Sequence, residues 1–155
     1  MTYILDTNII LDSVENLLTL SDNGTNILVI PETVIDELDS KKVGFEDINF
    51  NARQFARLLE DSVILENKVI APLHIIKTSV ESLGINLLII SKKDYECDLQ
   101  TTAPNILNDR KILEAASDYI NKVEPATLIS LDIMFRTRAL SLGLAAEALT
   151  GKSSE

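Results

Sequence analysis

Four acidic residues occupy positions where a folded chain could bring their carboxylates together. Asp6 follows the apolar residues 3–5, and Asp132 follows the largely apolar residues 127–131. Both precede a helical pattern, so we expect both at the carboxyl edge of a parallel sheet, where sites of α/β folds form. Glu37 lies inside a third helical pattern, and Asp109 lies at the start of a fourth, just after Asn108.

Carboxylates gathered at one sheet edge repel each other, and without a cation some of them would protonate or move apart. Hard divalent ions such as Mg²⁺ or Mn²⁺, which prefer oxygen ligands, relieve this repulsion. Such a site can polarise a phosphate, activate water and orient an in-line attack. Taken singly, Asp6, Asp109 and Asp132 also suit a helix N-terminus, where the dipole is worth about 0.3–1 kcal/mol. Glu37 alone is more often a solvated helix residue. The hypothesis of a metal site therefore depends on the four acids occurring together.

Buried strands that alternate with helices must position these acids. The largely apolar runs 27–30, 86–90 and 127–131 are typical of strands buried on both faces. The pattern predicts a three-layer α/β/α fold with a central parallel sheet. Helices are predicted at about 9–20, 32–42, 49–65, 108–123 and 133–142.

The remaining segments give weaker patterns. Residues 67–84 allow a short strand near 73–76 and a helical turn near Val80, and residues 91–105 predict a long loop. Residues 144–149 predict a short edge strand. We expect one domain over 1–149 and a disordered tail over 150–155.

Composition narrows the class of protein. The net charge of −10 argues against a passive nucleic-acid binder but is compatible with a nuclease whose bound cations offset carboxylate charge. Cys97 is the single cysteine and His74 the single histidine, so an intrachain disulfide and a structural zinc site are not expected. No apolar run is long enough to span a membrane and no signal-peptide pattern begins the chain, which predicts a cytoplasmic protein.

Four segments, in order, resemble the motifs of the PIN family of nucleases: 3–8, 30–38, 108–113 and 128–132. Within that family, residues 37–42, 51–59 and 132–144 are similar to the PIN domain that precedes the ATPase in PhoH-like proteins. The chain has no GxxxxGK[ST] phosphate loop, so an ATPase domain would lie elsewhere on a longer chain or in a partner.

The resemblance implies an Mg²⁺- or Mn²⁺-dependent endoribonuclease that cuts single-stranded RNA, with Asp6, Glu37, Asp109 and Asp132 as metal ligands. It assigns supporting roles to Thr7 and Ser130, with Asn8 and Asn108 as softer candidates. Asp12 and Asp36 are not expected to take part. The predicted phosphate contacts are Lys41, Lys42, Arg53, Arg57, Arg110, Arg136 and Arg138. A homo-oligomer is a further possibility.

Other classes fit less well. A phosphoacceptor receiver domain needs a lysine at the end of a late strand, where this chain has Asp132. A haloacid-type phosphatase needs a DxD signature, and Asn8 occupies its second position. Two alternatives stay open within the PIN family: a non-catalytic RNA-binding or scaffold module, and the toxin of a toxin–antitoxin pair. The long helical pattern at 49–65 and the PhoH-like segments disfavour the toxin.

Overall fold

The computed structural model describes residues 1–99 and 103–149. Its strands are β1 (Thr2–Leu5), β2 (Ile27–Pro31), β3 (Val63–Ile70), β4 (Leu73–Val80), β5 (Ile85–Lys92), β6 (Thr127–Ile129) and β7 (Ala146–Glu147). Its α-helices are α1 (Thr7–Asp12), α2 (Glu15–Ser21), α3 (Glu32–Ser40), α4 (Asp47–Glu60), α5 (Pro104–Lys122) and α6 (Ile133–Ser141). A short 3₁₀ helix covers Glu96–Leu99. Within these ranges no helix is both long and apolar enough to cross a membrane.

The strands form one sheet in the order β3-β4-β5-β2-β1-β6-β7. β1 lies at its centre and pairs in parallel with β2 on one side and β6 on the other. β5 and β7 extend this parallel region, and helices flank the sheet. The predicted α/β/α fold with a central parallel sheet is therefore confirmed.

The central strands are hydrophobic on both faces because helices cover both sides of a parallel sheet. Ile4 and Leu5 of β1 and the inner residues of β2 are fully buried. The largest fully buried side chains beside them come from helices: Phe55 of α4, Tyr119 of α5 and Phe135 of α6. The resulting core fixes the carboxyl ends of β1 and β6 next to each other.

The first predicted helix is in fact two helices. Ser13 has an extended backbone, with φ −171° and ψ 135°, and separates α1 from α2. Its hydroxyl accepts a hydrogen bond from the backbone N–H of Glu15 at 3.1 Å. Apolar periodicity continues across this break, so hydrophobic spacing alone could not reveal it.

The largest departure from the prediction is an antiparallel hairpin. The helix expected over 49–65 ends at Glu60, and β3 and β4 pair antiparallel next to β5. The helical turn expected near Val80 is instead the end of β4. The sheet is thus mixed at this side, although its centre is parallel.

Two boundaries near the expected site also differ from the prediction. α5 begins at Pro104, so Asp109 lies in its second turn rather than at its start. β6 ends at Ile129, and Asp132 is the N-cap of α6. The helix after Asp132 ends as expected, with Gly143 at φ 78°, a left-handed conformation that glycine adopts readily. The predicted edge strand at 144–149 is present as β7, while the tail over 150–155 lies outside the described residues.

Candidate active site

Asp6 is the centre of a hydrogen-bond network at the carboxyl end of β1. Its Oδ1 accepts the backbone N–H of Thr7 at 2.8 Å, which caps α1. Its Oδ2 accepts the Ser130 hydroxyl at 2.7 Å and the Asn8 amide at 3.2 Å. The residue is only 6% exposed. Asp6 is therefore held in one orientation by donors from both β1–α1 and β6–α6.

Asn8 and Ser130 join these two turns. The side-chain Oδ1 of Asn8 accepts a hydrogen bond from the backbone N–H of Leu131 at 3.0 Å. The side-chain Nδ2 of Asn8 donates to the Ser130 hydroxyl at 3.2 Å. The Ser130 hydroxyl also accepts the backbone N–H of Asp132 at 3.0 Å. Asp132 in turn accepts the backbone N–H of Met134 at 2.9 Å and caps α6. Ser130 thus touches Asp6 and the backbone of Asp132 at once.

Glu37 and Asp109 complete the acidic group. The Thr7 hydroxyl donates to the Glu37 carboxylate, and the Asn108 amide donates to it at 3.4 Å. The Asp109 carboxylate forms an ion pair with Arg138 at 3.2 Å. These two acids and their polar partners therefore come from four helices, α1, α3, α5 and α6.

Electrostatics show that the acids lie within each other's field. The pKa of Asp6 is raised to about 7, chiefly by burial, while the hydrogen bonds from Ser130 and Thr7 lower it and the charges of Asp109 and Glu37 raise it. The pKa of Asp109 is raised to about 6, again chiefly by burial, while the charge of Arg138 lowers it and the charges of Asp132 and Glu37 raise it. Carboxylates that raise each other's pKa in this way are an arrangement that a cation would stabilise.

The carboxylate oxygens suit a hard cation, although the four acids do not form a complete coordination shell. Within residues 1–99 and 103–149, no three His, Cys, Asp or Glu side chains are already grouped to hold a metal ion. Mg²⁺ keeps several waters and commonly uses only one or two carboxylates of the protein. The oxygen chemistry of Asp6, Glu37, Asp109 and Asp132 therefore fits Mg²⁺ or Mn²⁺, with part of the coordination left to water.

The comparison with known families bears on this site. A family model described as PIN domain matches residues 3–150. The chain belongs to the PIN domain family. This PIN domain is 29% identical over 151 residues to Protein PhoH2 of Bacillus subtilis (strain 168). It is 28% identical over 146 residues to Protein PhoH2 of Mycolicibacterium smegmatis.

The two alignments cover 94% of this PIN domain but only 32% and 31% of the relatives. The chain thus spans about a third of the length of the curated relatives it matches. A solved domain of a functionally unknown protein from Methanocaldococcus jannaschii shares the fold, with a TM-score of 0.63 at 16% identity over 99% of this chain and 94% of that one. The predicted kinship with PhoH-like PIN domains is confirmed, and the family supports a nuclease type of function.

The predicted phosphate contacts Lys41, Lys42 and Arg53 lie in or beside the loop between α3 and α4. Arg53 of this PIN domain donates to the backbone carbonyls of Lys42 and Gly44 at 2.7 and 2.9 Å, so it holds the α3–α4 loop. Lys42 pairs with Asp39 at 2.8 Å, while Lys41 is exposed.

Arg57 lies on a different part of the surface from the acids. It lines a groove together with Leu83 and Ile85, at the amino end of β5. Because β5 runs parallel to β1 within the sheet, this groove lies at the edge opposite Asp6. Arg57 is therefore not placed to contact a phosphate held at the site.

Arg136 and Arg138 have different environments although both belong to α6. Arg136 is 8% exposed and donates to the Ser130 carbonyl at 2.8 Å, so it supports the β6–α6 turn rather than facing solvent. Arg138 remains partly exposed beside Asp109. Of the two arginines, only Arg138 is accessible from solvent to an appreciable extent.

Sequence reasoning missed one ion cluster that positions α5. Lys92, at the end of β5, pairs with Glu114 at 2.5 Å and Asp118 at 2.7 Å, and its side chain is 7% exposed. The cluster ties α5 to the sheet and so helps to place Asp109. Glu114 and Asp118 are four residues apart on one helical pattern, which was the available signal.

We expect Arg136→Met to lower the free energy of unfolding by about 1–3 kcal/mol, because the buried Ser130 carbonyl loses its donor. Urea unfolding followed by circular dichroism measures this change. Arg136→Lys, which keeps a donor, should lose less. Arg110→Met serves as the control, since Arg110 is exposed. Equal stability of the Arg136→Met variant and the parent protein would contradict a supporting role.

Proposed function

We propose that this PIN domain is a metal-dependent endoribonuclease that hydrolyses single-stranded RNA. The observation that carries the proposal is the group of four interacting carboxylates, two of them with raised pKa values, at the carboxyl edge of the central strands. The ligands of the proposed metal ion would be Asp6, Glu37, Asp109 and Asp132. Mg²⁺ or Mn²⁺ bound there would activate water and stabilise charge on the phosphate.

The residues of this chain have distinct tasks in the proposed site. Ser130 and the N–H of Thr7 hold Asp6, so its carboxylate does not need to reorganise when an ion arrives. The Thr7 hydroxyl orients Glu37 in the same way. Such fixed partners of the ligands typically contribute 10–100-fold to metal affinity or activity, by the general behaviour of outer-shell groups.

The groove between α5 and α6 offers a path for the RNA strand. It has a volume of about 590 Å³, and Arg110 and Arg138 line it. Among the described residues that line it, the one acid is Glu114, which is paired with Lys92. Because Arg138 also contacts Asp109, a phosphate chain in this groove would lead directly to the acidic group.

The test of the proposed activity is a cleavage assay on end-labelled single-stranded RNA. The full chain should cut it internally with Mg²⁺ or Mn²⁺, stop in EDTA and recover when the ion is restored. DNA of the same sequence and a fully paired RNA are the substrate controls. RNA binding without cleavage under every metal condition would favour the non-catalytic module instead.

RNA affinity should depend weakly on salt. For single strands the slope of log K against log salt is about −0.7 per neutralised phosphate, so two arginines predict a slope of roughly −1.4. Arg110→Gln should make it shallower by about 0.7. Fluorescence anisotropy on an inactive Glu37→Gln background, with and without Mg²⁺, measures these slopes.

Arg57→Gln is the matched control for the groove, because it removes one positive charge at the opposite sheet edge. It should leave the slope unchanged. A steep slope that Arg57→Gln reduces and Arg110→Gln does not would place the RNA on another surface.

We further propose that an ATPase domain works with this nuclease, either on a longer chain or in a partner. The support is the similarity to PhoH2 proteins, of which this chain spans about a third.

A further inference from the structure

β3 is an unusually exposed edge of the described sheet. Every residue from Val63 to Val69 is exposed, so neither face of the strand is covered by a helix. Four of these side chains are hydrophobic: Val63 is 48% exposed, Ile64 64%, Leu65 52% and Val69 69%. A long, apolar edge strand with free backbone groups is a template for pairing with another strand.

The order of side chains along β3 lets this strand pair with the β3 strand of a second copy that runs in the opposite direction. Glu66, Asn67 and Lys68 form the centre of the strand, with Leu65 and Val69 on either side. If two copies pair antiparallel with Asn67 opposite Asn67, each Glu66 faces a Lys68. Leu65, at the irregularity between Ile64 and Glu66, then lies next to Val69. Opposite charges and paired apolar residues are the cross-strand combinations that stabilise antiparallel strands.

We propose that two copies of this chain form a dimer by antiparallel pairing of their β3 strands about a twofold axis at Asn67. The shared contact is isologous, as in most symmetric dimers, because the same strand serves both copies. The two seven-stranded sheets would join edge to edge into one continuous sheet.

Only this register pairs the charges. A shift by one residue in either direction places Glu66 opposite Asn67 or Val69, and Lys68 opposite Leu65 or Asn67. A shift by two places Glu66 opposite Glu66 or Lys68 opposite Lys68, and like charges directly opposite are destabilising. The two charged residues, which would block indiscriminate edge pairing, therefore select a single partner geometry.

The hairpin geometry agrees with this register. Glu66 and Lys68 already form an ion pair at 3.1 Å within one chain, so their side chains share a face, and both are about half exposed. The irregularity of the β3–β4 pairing falls between Ile64 and Glu66, outside the three central residues. From Glu66 to Ile70 the strand is regular and can present its outer edge to a second copy.

The dimer leaves the acidic group open. In the sheet, β4, β5 and β2 separate β3 from β1, which carries Asp6 at its end. The inference does not rest on the nuclease proposal, and loss of the dimer is expected to leave the basal cleavage by each chain unchanged.

A charge-swap cycle tests the contact by analytical ultracentrifugation. The parent chain should sediment as a dimer at micromolar concentrations. Lys68→Glu and Glu66→Lys should each raise the dimer dissociation constant roughly tenfold to thirtyfold, because each turns two attractive pairs into repulsive ones. The double variant, Glu66→Lys with Lys68→Glu, should restore the parent value since opposite charges again face each other.

Lys93→Glu is the control for net charge. It makes the same charge change as Lys68→Glu, but at an exposed position outside β3, so it should leave the dimer intact. Circular dichroism of every variant should match the parent, because Glu66 and Lys68 are on the surface.

Cross-linking tests the register. In a Cys97→Ser background, Asn67→Cys should oxidise to a covalent dimer, because residue 67 faces its own copy at the twofold axis. Val69→Cys should not, because in this register its own copy lies four residues farther along the partner strand. A parent chain that remains monomeric at high micromolar concentration overturns the proposal and leaves β3 to another partner. A dimer that the single charge reversals do not weaken overturns it as well.

Discussion

Asp6→Asn is expected to lower the cleavage of single-stranded RNA by more than about 100-fold, since loss of even an outer-shell partner of a metal site typically costs 10–100-fold. Asp6 is the most buried of the four acids and is held by donors from two turns, so no neighbouring carboxylate can take its place. Asparagine still caps a helix well, so α1 should form normally. The measurement is single-turnover cleavage of labelled RNA with Mg²⁺, with circular dichroism as the check on folding.

Asp36→Asn is the matched control for this variant. Asp36 is exposed on α3, directly before Glu37, and its replacement removes the same charge. It should keep near-parental cleavage. Two outcomes would count against the proposed site: a variant at Asp6 that still cuts RNA, or an Asp36→Asn protein as inactive as the Asp6→Asn protein.

The central strands could be predicted because burial on both faces leaves an unmistakable apolar run. Residues 27–30 and 86–90 show this pattern, and both lie in the parallel part of the sheet. β3 could not be predicted in the same way. Its residues are exposed on both faces, and Val63 happened to continue the helical spacing of α4. Without a buried face, a strand carries no alternation for hydrophobic patterning to detect.

The acids were predictable to different degrees. Asp6 follows a buried strand and Asp132 follows soon after another, so the parallel topology brings them to one edge. Glu37 and Asp109 lie within helices, and only the resemblance to PIN motifs selected them from their acidic or polar neighbours. The side-chain links through Asn8 and Ser130, 122 residues apart in sequence, depend on the assembled fold.

The arginines of α6 illustrate what periodicity cannot resolve. Successive helical residues turn by about 100°, so side chains two positions apart point in nearly opposite directions. Arg136 therefore reaches inward to the Ser130 carbonyl, while Arg138 reaches Asp109 at the surface. The residue type was the same in both positions, and the difference in role followed from which face of α6 packs on the sheet.

The metal-free protein should become less stable as the pH rises from about 4 to about 7. Burial raises the pKa of Asp6 from 3.8 to about 7, so the folded chain binds a proton that the unfolded chain has lost over this window. The stabilisation by the bound proton is complete below the pKa that Asp6 has in the unfolded chain. It disappears as the pH rises through the pKa of Asp6 in the folded chain. The full change from Asp6 is on the order of 4 kcal/mol in the free energy of unfolding. Asp109, with a pKa raised to about 6, acts in the same direction.

The Asp6→Asn variant isolates this contribution. It cannot ionise, so it should match the parent in stability near pH 4 and exceed it near pH 8, both in EDTA. Mg²⁺ should stabilise the parent increasingly as the pH rises, because the ion binds the deprotonated acids, and should stabilise the variant less. Urea unfolding across this pH range, with Asp36→Asn as the control, measures the differences. If the parent instead gained stability relative to Asp6→Asn with rising pH in EDTA, Asp6 would be a charged helix cap whose ionised form the fold prefers, and the acidic group would not be waiting for a cation.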